Sequence, residues 1–467
     1  MPVKKPWITY TRWAKRYGGI VHLRDYSQHV VLVNTREDAI ALFEKRSHVY
    51  SDRPSLPMLE LMGWDFNTGL MPYGDRWRRH RRLFHQNFRK DAALAFQPTQ
   101  TQKTHEFLVN MLSSPDNYAM HTRTIAAAIV MSTIYDHEIA PTNDRFVTAA
   151  EQAVTKLSEA FFPGAAAVNA LPILRHLPAW FPGAGFQRFA KGCKVYTNEM
   201  REVPFNFVKE NMASGVPTQA LAAKLLARND ALGGSAVGED DIKGVAATAF
   251  AAGADTTVSA LGSFFYAMLC NPRAQKRGQE EIDAVIGKHR LPQYGDRSSL
   301  PYVEAIYREI MRWRPVTPLG VAHSTSEDDI YNGYFIPKGT VVLANIWAMT
   351  RDEERYPQPD LFLPERFLDA DGNLNDDSTV LTFGFGRRIC VGRHMASATV
   401  WLMIANVLAT FDIAKAKDEN GVEIPVNDDY SDGLICHKLP YRCSVTVRSE
   451  EAQRLINLHA AGNDINC

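Results

Sequence analysis

The sequence has no surplus of charge. Its 52 Lys and Arg residues balance 52 Asp and Glu over 467 residues, so nothing global points to nucleic acid or a strongly acidic surface as partner. Cysteine is scarce. Cys193, Cys270, Cys390, Cys436, Cys443 and Cys467 include no C-x-x-C pair, which excludes a dense disulfide framework and reads as mostly free thiols in a reducing compartment. There is no signal-like start, because residues 1–20 are basic and aromatic with no apolar core region. A charge-free apolar run long enough to span a bilayer is also lacking. The nearest candidate, Val245 to Cys270, carries Asp255 in its middle, and a charge there costs at least about 2.5 kcal/mol on insertion. A buried core helix is the better reading. Internal repeats, low-complexity tracts and clear linkers are absent too.

What is present is largely helical. Ile20–Leu23 and Val30–Val33 read as two short strands joined at Asp25–Gln28, and Arg36–Lys45 as a short helix. A very basic segment runs from Asp75 to Asn87, and Asp91 to about Ser158 has few breakers. Phe162–Gly185 is rich in Pro, Gly and aromatics, too apolar for a solvated linker, so it is expected to line or cover something. No proline occurs from Thr218 to Asn271. A helix from Glu239 to Cys270 would be about 48 Å long and would cross a whole domain. Another helix opens at Ser299 and Pro301 and ends before Pro315. Strand-like pieces lie at Tyr334–Ile336 and Thr340–Ala344, residues 351–380 are loop-rich, and a last apolar helix runs from Cys390 to about Phe411. The pattern predicts one mainly α domain with small β-sheets over residues 1–467, with 448–467 as a C-terminal tail.

Phe383–Gly392 reads FGFGRRICVG. It sets Cys390 between a glycine-rich loop and a helix start, where free N–H groups and the helix dipole favour thiolate. Gly386 and Gly392 would admit a flat cofactor close to the backbone, and Arg388 could neutralise a carboxylate on it. Taken alone, such a cysteine is more often a small buried hydrophobe.

The segment resembles the cysteine-loop signature of the cytochrome P-450 family at Phe383, Gly386, Arg388, Cys390 and Gly392. More motifs follow in the family's order. Trp77-Arg78-Arg79-His80-Arg81 matches W-x-x-x-R, Ala252-Gly253-Ala254-Asp255-Thr256-Thr257 matches the oxygen-binding motif, Glu309–Arg312 matches E-x-x-R, and Pro364–Phe367 reads PERF. The resemblance covers Pro6 to about Val447 and is finest to fungal, basidiomycete, microsomal members. It implies that fold, with a long central helix over haem b and the Cys390 thiolate as iron ligand. Phe383 would shield the sulfur, while Trp77, Arg81, Arg388 and His323 would meet the propionates. Ala252 and Gly253 would open a groove for oxygen. Asp255 and Thr256 would deliver protons, with a Thr256 bond back to a helix carbonyl as the competing interaction. Glu309, Arg312 and Arg366 would form a buried ionic triad.

The activity so implied is insertion of one oxygen atom of O2 into a lipophilic secondary metabolite, terpenoid-like first and aromatic or alkaloid second. Electrons would come from NADPH through an NADPH–cytochrome P-450 reductase. The extra arginines Arg78, Arg79 and Arg82 either serve that acidic partner or are simply solvated. Expected pocket walls are Arg53–Leu70, Phe162–Trp180, Ala249–Thr256, Pro318–Ala322 and Ser431–Ile435. The resemblance would place an apolar anchor and a proline hinge at the start, and residues 1–20 read as neither. The cytosolic face of the endoplasmic reticulum is the location the resemblance implies, with peripheral membrane contact through Phe162–Gly185. A haem-thiolate isomerase or dehydratase, and a non-catalytic haem-binding protein, are the rival readings. The intact Asp255–Thr256 pair and the propionate residues weigh against both.

Overall fold

The computed structural model describes residues 2, 4–25, 28–140, 143–160 and 163–463. Helix α1 (Pro6–Tyr17) leads into strands β1 (Ile20–Asp25) and β2 (Gln28–Val33). These pair antiparallel, Ile20 opposite Val33 and Asp25 opposite Gln28, and the turn residues 26 and 27 between them lie outside the described residues. The helix expected over Arg36–Lys45 begins as α2 (Arg36–Ala39), capped by the Thr35 hydroxyl, and continues as a π-turn over Ile40–Lys45.

Helices α3 (Pro57–Leu61), α4 (Asp75–Phe88), α5 (Gln97–Ser113), α6 (Tyr118–Tyr135), α7 (Arg145–Glu159) and α8 (Pro163–Ala170) follow. Then come α9 (Gly185–Ala213), α10 (Leu221–Ala231) and α11 (Ala236–Cys270). The Ser235 hydroxyl caps α11 by accepting the Gly238 N–H, and Glu239 lies in its first turn, both favourable at a helix N-terminus. Its 35 residues span about 52 Å. It packs against α4, α6, α9, α10 and α13 (Pro301–Trp313), the last reached through α12 (Pro272–Val285). Pro301 opens α13, as expected, with Leu300 rather than Ser299 at the cap.

Strands β3 (His323–Ser324), β4 (Asp329–Tyr331), β5 (Tyr334–Ile336) and β6 (Val341–Ala344) complete the first half of the sheet system. One four-stranded sheet has the order β1-β2-β6-β3, with β2 and β6 parallel; β4–β5 is a separate hairpin. Beyond helix α14 (Ile346–Met349) the chain to residue 392 is mostly loop and short 3-10 turns. Helix α15 (Arg393–Thr410) is followed by β7 (Phe411–Lys415), which pairs with β8 (Cys443–Val447). The expected tail is folded: α16 (Glu450–Asn463) packs on α5 and buries Ala452, Leu455 and Ile456. The main core gathers Phe264, Phe265, Ile306, Ile310, Trp401 and Leu408 from α11, α13 and α15. Among the described residues no helix is long and apolar enough to cross a membrane.

Candidate active site

The loop before α15 is shaped by backbone contacts. The Cys390 N–H donates to the Phe383 carbonyl at 2.9 Å, closing the loop on itself. Gly386 has φ +52, and a Cβ there would stand 2.0 Å from the Phe43 carbonyl oxygen in the π-turn. This glycine is therefore spent on the contact with residues 40–45, not on approach to a flat cofactor. Gly392 is different: it lines the cavity described below, and a Cβ there would meet no protein atom within 4 Å. It is the cap residue of α15, so the helix starts three residues later than the sequence reading placed it. Burial pushes the Cys390 thiol above its ordinary range. The Gly392 and Arg393 N–H groups and the Arg81 and Arg393 charges pull the other way without reversing it. The helix end thus favours thiolate, as expected, but does not by itself secure it, because desolvation works against it. A cation at the sulfur would be needed to hold the charge.

Cys390 opens into a cavity of about 1370 Å³ that runs beneath α11. A second space of about 740 Å³ adjoins it and shares Phe84, Thr248, Ala252, Thr256, Thr257 and Cys390 with it. Gly253 lines this second space, and its bare Cα is set against α6, where a Cβ would come within 2.9 Å of Val130. The Thr256 hydroxyl faces the cavity but donates to the Ala252 carbonyl at 2.7 Å, and Thr257 likewise to Gly253 at 2.8 Å. The competing bond to a helix carbonyl is therefore the one made. Asp255 is not among the cavity's lining residues. Its carboxylate turns to the His437 ring, with 3.3 Å from each oxygen to Nε2.

The same cavity is also lined by a cluster of donors. Trp77, Arg81, His323 and Arg388 all line it, joined by Arg53. The Arg388 guanidinium donates to the Ser51, Thr68 and Met71 carbonyls and stacks on the Trp77 ring, 4.4 Å from its centroid. Arg81 donates to the Ile389 carbonyl at 2.7 Å, and Arg53 to those of Gly69, Val321 and Ala322. His323 Nδ1 is 2.7 Å from the Tyr50 carbonyl, which leaves Nε2 as its second polar atom. None of the three arginines has a carboxylate within 4 Å among the described residues, whereas the buried side chains of Arg312, Arg351 and Arg366 do. Burial lowers the proton affinity of all three, Arg388 to about 10, and Arg53 is further lowered by Arg388. Burial, then the Arg53 charge, lowers that of His323 as well.

Three desolvated cations with no ion-paired carboxylate, and only the more distant Asp52 charge acting on Arg53 and Arg388, are costly to leave so. A flat group carrying two carboxylates, ligated by the sulfur beyond, would answer both the charge and the cavity shape. The donor set fits haem. Behind it, Glu309 and Arg312 form a fully buried pair at 2.6 and 2.8 Å, with Arg366 3.2 Å from Glu309, so the triad the resemblance implied is assembled.

Two expected pocket walls are not there. Phe162 itself lies outside the described residues. Of residues 167–180, none is among those lining either cavity space: Val168 is buried in the core, Leu174 and Leu177 pack against it, and Leu171, Ile173 and Trp180 point outward. Ser431–Ile435 is also off the cavity; Ser431 holds the His437 backbone. Conversely, Arg53 as a member of the cation cluster and His437 as partner of Asp255 were not foreseen. Arg53 had a signal, a charged residue inside a segment expected to wall an apolar pocket; His437 had none.

The family model for cytochrome P-450 matches residues 3–445. A cytochrome P-450 monooxygenase of Rhodocybe pseudopiperita is 40% identical over 464 residues, covering 98% of this chain and 88% of that protein. One of Postia placenta is 40% identical over 462 residues, with 98% and 89% covered, and one of Ampulloclitocybe clavipes 38% identical, with 98% and 85% covered. Cys390 at the cavity floor, α11 above it and the family match over nearly the whole length agree, and the chain belongs to the cytochrome P-450 family of haem-dependent monooxygenases.

Proposed function

We propose that this enzyme hydroxylates or otherwise oxygenates a lipophilic secondary metabolite, terpenoid-like in the first instance, with NADPH electrons supplied by a separate reductase. The observation that carries this reading is that the Cys390 thiol opens into the same largely apolar cavity that Arg53, Arg81 and Arg388 line, with no ion-pair partner for any of the three among the described residues. Cys390 Sγ would be the iron ligand. Trp77, Arg81, His323 and Arg388 would hold the carboxylates, with Phe383, Gly386 and Gly392 shaping the loop beneath. When bound, haem supplies the activation of O2 and the insertion of one of its atoms into substrate.

The chain's own residues do the rest. Apolar side chains such as Phe84, Ala260, Val316 and Val321 would seat an apolar substrate and exclude water. Thr256 Oγ1, released from the Ala252 carbonyl, would pass a proton into the space beside Ala252 and Gly253, and the Asp255 carboxylate would reload it. The exposed Arg78 and Arg82 on α4 suit an acidic reductase surface. The outward apolar rim at Leu171–Phe181 suits the surface of a membrane, which the family's usual place on the endoplasmic reticulum would provide. The test is spectroscopic and then catalytic. The dithionite-reduced, CO-bound protein should show the strongly red-shifted Soret band of thiolate ligation, and Cys390→Ala should lose it. With a fungal reductase, a panel of sesquiterpenes should include compounds that raise NADPH oxidation. A wild-type band in Cys390→Ala, or no product from any panel member, defeats the proposal.

A further inference from the structure

Asp255 is the residue whose surroundings the reading above leaves unexplained. It lies on α11 next to Thr256, yet it is turned off the cavity. Its only hydrogen-bonding or ionic partner among the described residues is His437, with both carboxylate oxygens 3.3 Å from Nε2. The ring is not there by chance of a loose loop. The Cys436 N–H donates to the Val316 carbonyl at 2.9 Å, and the Cys436 carbonyl accepts the Ser259 hydroxyl at 2.6 Å. The His437 N–H donates to Ser431 Oγ at 2.9 Å, and its carbonyl accepts the Ser431 N–H at 2.8 Å. Ser259 and Asp255 are four apart on one face of α11, so one helix face fixes both the strand of loop and the ring it carries.

Both side chains of the pair are 31% exposed. The pair therefore bridges bulk water and the helix turn that carries Thr256. Two charged groups flank His437 on its own loop, and both are engaged elsewhere. The Lys438 ammonium turns to Asn427 and the Asp429 and Leu439 carbonyls, and Asp432 accepts the Lys5 N–H. From α11, the facing charge is Asp255.

We infer that His437 is a positioning and proton-loading residue, which takes a proton from water and passes it from Nε2 to the Asp255 carboxylate. The inference rests on the assignment of Asp255 and Thr256 to proton delivery. The transfer is balanced: Nε2 loses the proton that one Asp255 oxygen gains, water re-protonates the ring, and no electrons move. A hydrogen-bonding amide at 437 would hold the carboxylate but could not carry the proton, which separates loading from mere support.

The test uses the holoenzyme with histidine labelled in ¹³C and ¹⁵N. In wild type the His437 resonance, identified by its loss in whichever of His437→Gln and His437→Asn keeps the full CO band, should titrate at higher pH than in Asp255→Asn. In parallel, NADPH oxidation driven by a fungal reductase, with no organic substrate added, should fall at least about fivefold in His437→Gln and in Asp255→Asn, and no further in the double variant. An unchanged His437 titration in Asp255→Asn overturns the inference. So does wild-type oxidation by His437→Gln when Asp255→Asn is slow. Wild-type oxidation by Asp255→Asn overturns the proton reading beneath it as well.

Discussion

Gly386 shows how a motif position can be held by a physical demand other than the one its motif suggests. Its position in FGFGRRICVG was legible, but the need for glycine lies in Phe43, more than 300 positions earlier, whose carbonyl would meet a Cβ at 2.0 Å. No local pattern carries that information. The φ of +52 adds about 1 kcal/mol or more of strain for any L side chain. Gly386→Ala is therefore expected to cost at least about 3 kcal/mol, since backbone must move against backbone. Thermal unfolding of the holoenzyme should show it as a clear fall in Tm, and an unchanged Tm would mean that the π-turn yields freely. Glu309, Arg312 and Arg366 were legible for a different reason. Their motif spacing encodes a contact that is partly local, with Arg312 one turn beyond Glu309, so only Arg366 had to be supplied by resemblance. Arg53 stood out as a charge in an apolar segment, but its place in the cation cluster was not legible, because its neighbours Gly69, Val321 and Ala322 come from distant segments.

Elements followed from simpler rules, and their junctions did not. The absence of proline from 218 to 271 and the acidic start gave α11 to within three residues at its N-terminus and with no error at its C-terminus. Its packing against α4 depends on His80, fully buried, whose Cε1 would lie 2.8 Å from a Cβ on Gly244. The ring sits between the Thr68 hydroxyl at 2.9 Å and an Asp241 oxygen 3.2 Å from Nε2. Burial outweighs the attraction of Asp241 and lowers the His80 pKa to about 4. The folded protein thus binds this proton less readily than the unfolded chain, with its ordinary value near 6.5. The unfolded state then holds more protons between those two values, so stability is present above pH 6.5 and is lost as pH falls toward 4. The loss from pH 7 to pH 5 is about 2 kcal/mol from this group. Urea unfolding at the two pH values should show that much less pH dependence in His80→Asn. An equal dependence in the two proteins would assign the acid sensitivity to carboxylates instead.

For the whole molecule, the apolar Leu171–Phe181 segment poses the question of what it faces. Its composition announced burial, and the two expectations were a wall of the substrate pocket and contact with a membrane surface. The fold puts it outside, with Ile173 74% and Trp180 78% exposed, because α9 and α11 fill the interior with their own apolar faces. Composition reports that a segment avoids water; it does not report which of two apolar surroundings it will meet. Exposed side chains of this size clustered in one short stretch mark a contact surface, and the basic α4 face lies on another element with a different character. If the stretch enters a bilayer surface, each side chain fully buried contributes about 1.5–3 kcal/mol. Replacing Ile173 and Trp180 together by serine should weaken sedimentation with neutral phosphatidylcholine vesicles by at least about tenfold. The CO band should stay at wild-type height, because neither residue lines the cavity. Neutral lipid is the informative choice, since it removes attraction to the arginines of α4 and leaves apolar burial as the driving force. Retained vesicle binding in the double-serine variant would show that this rim is not the membrane-facing surface.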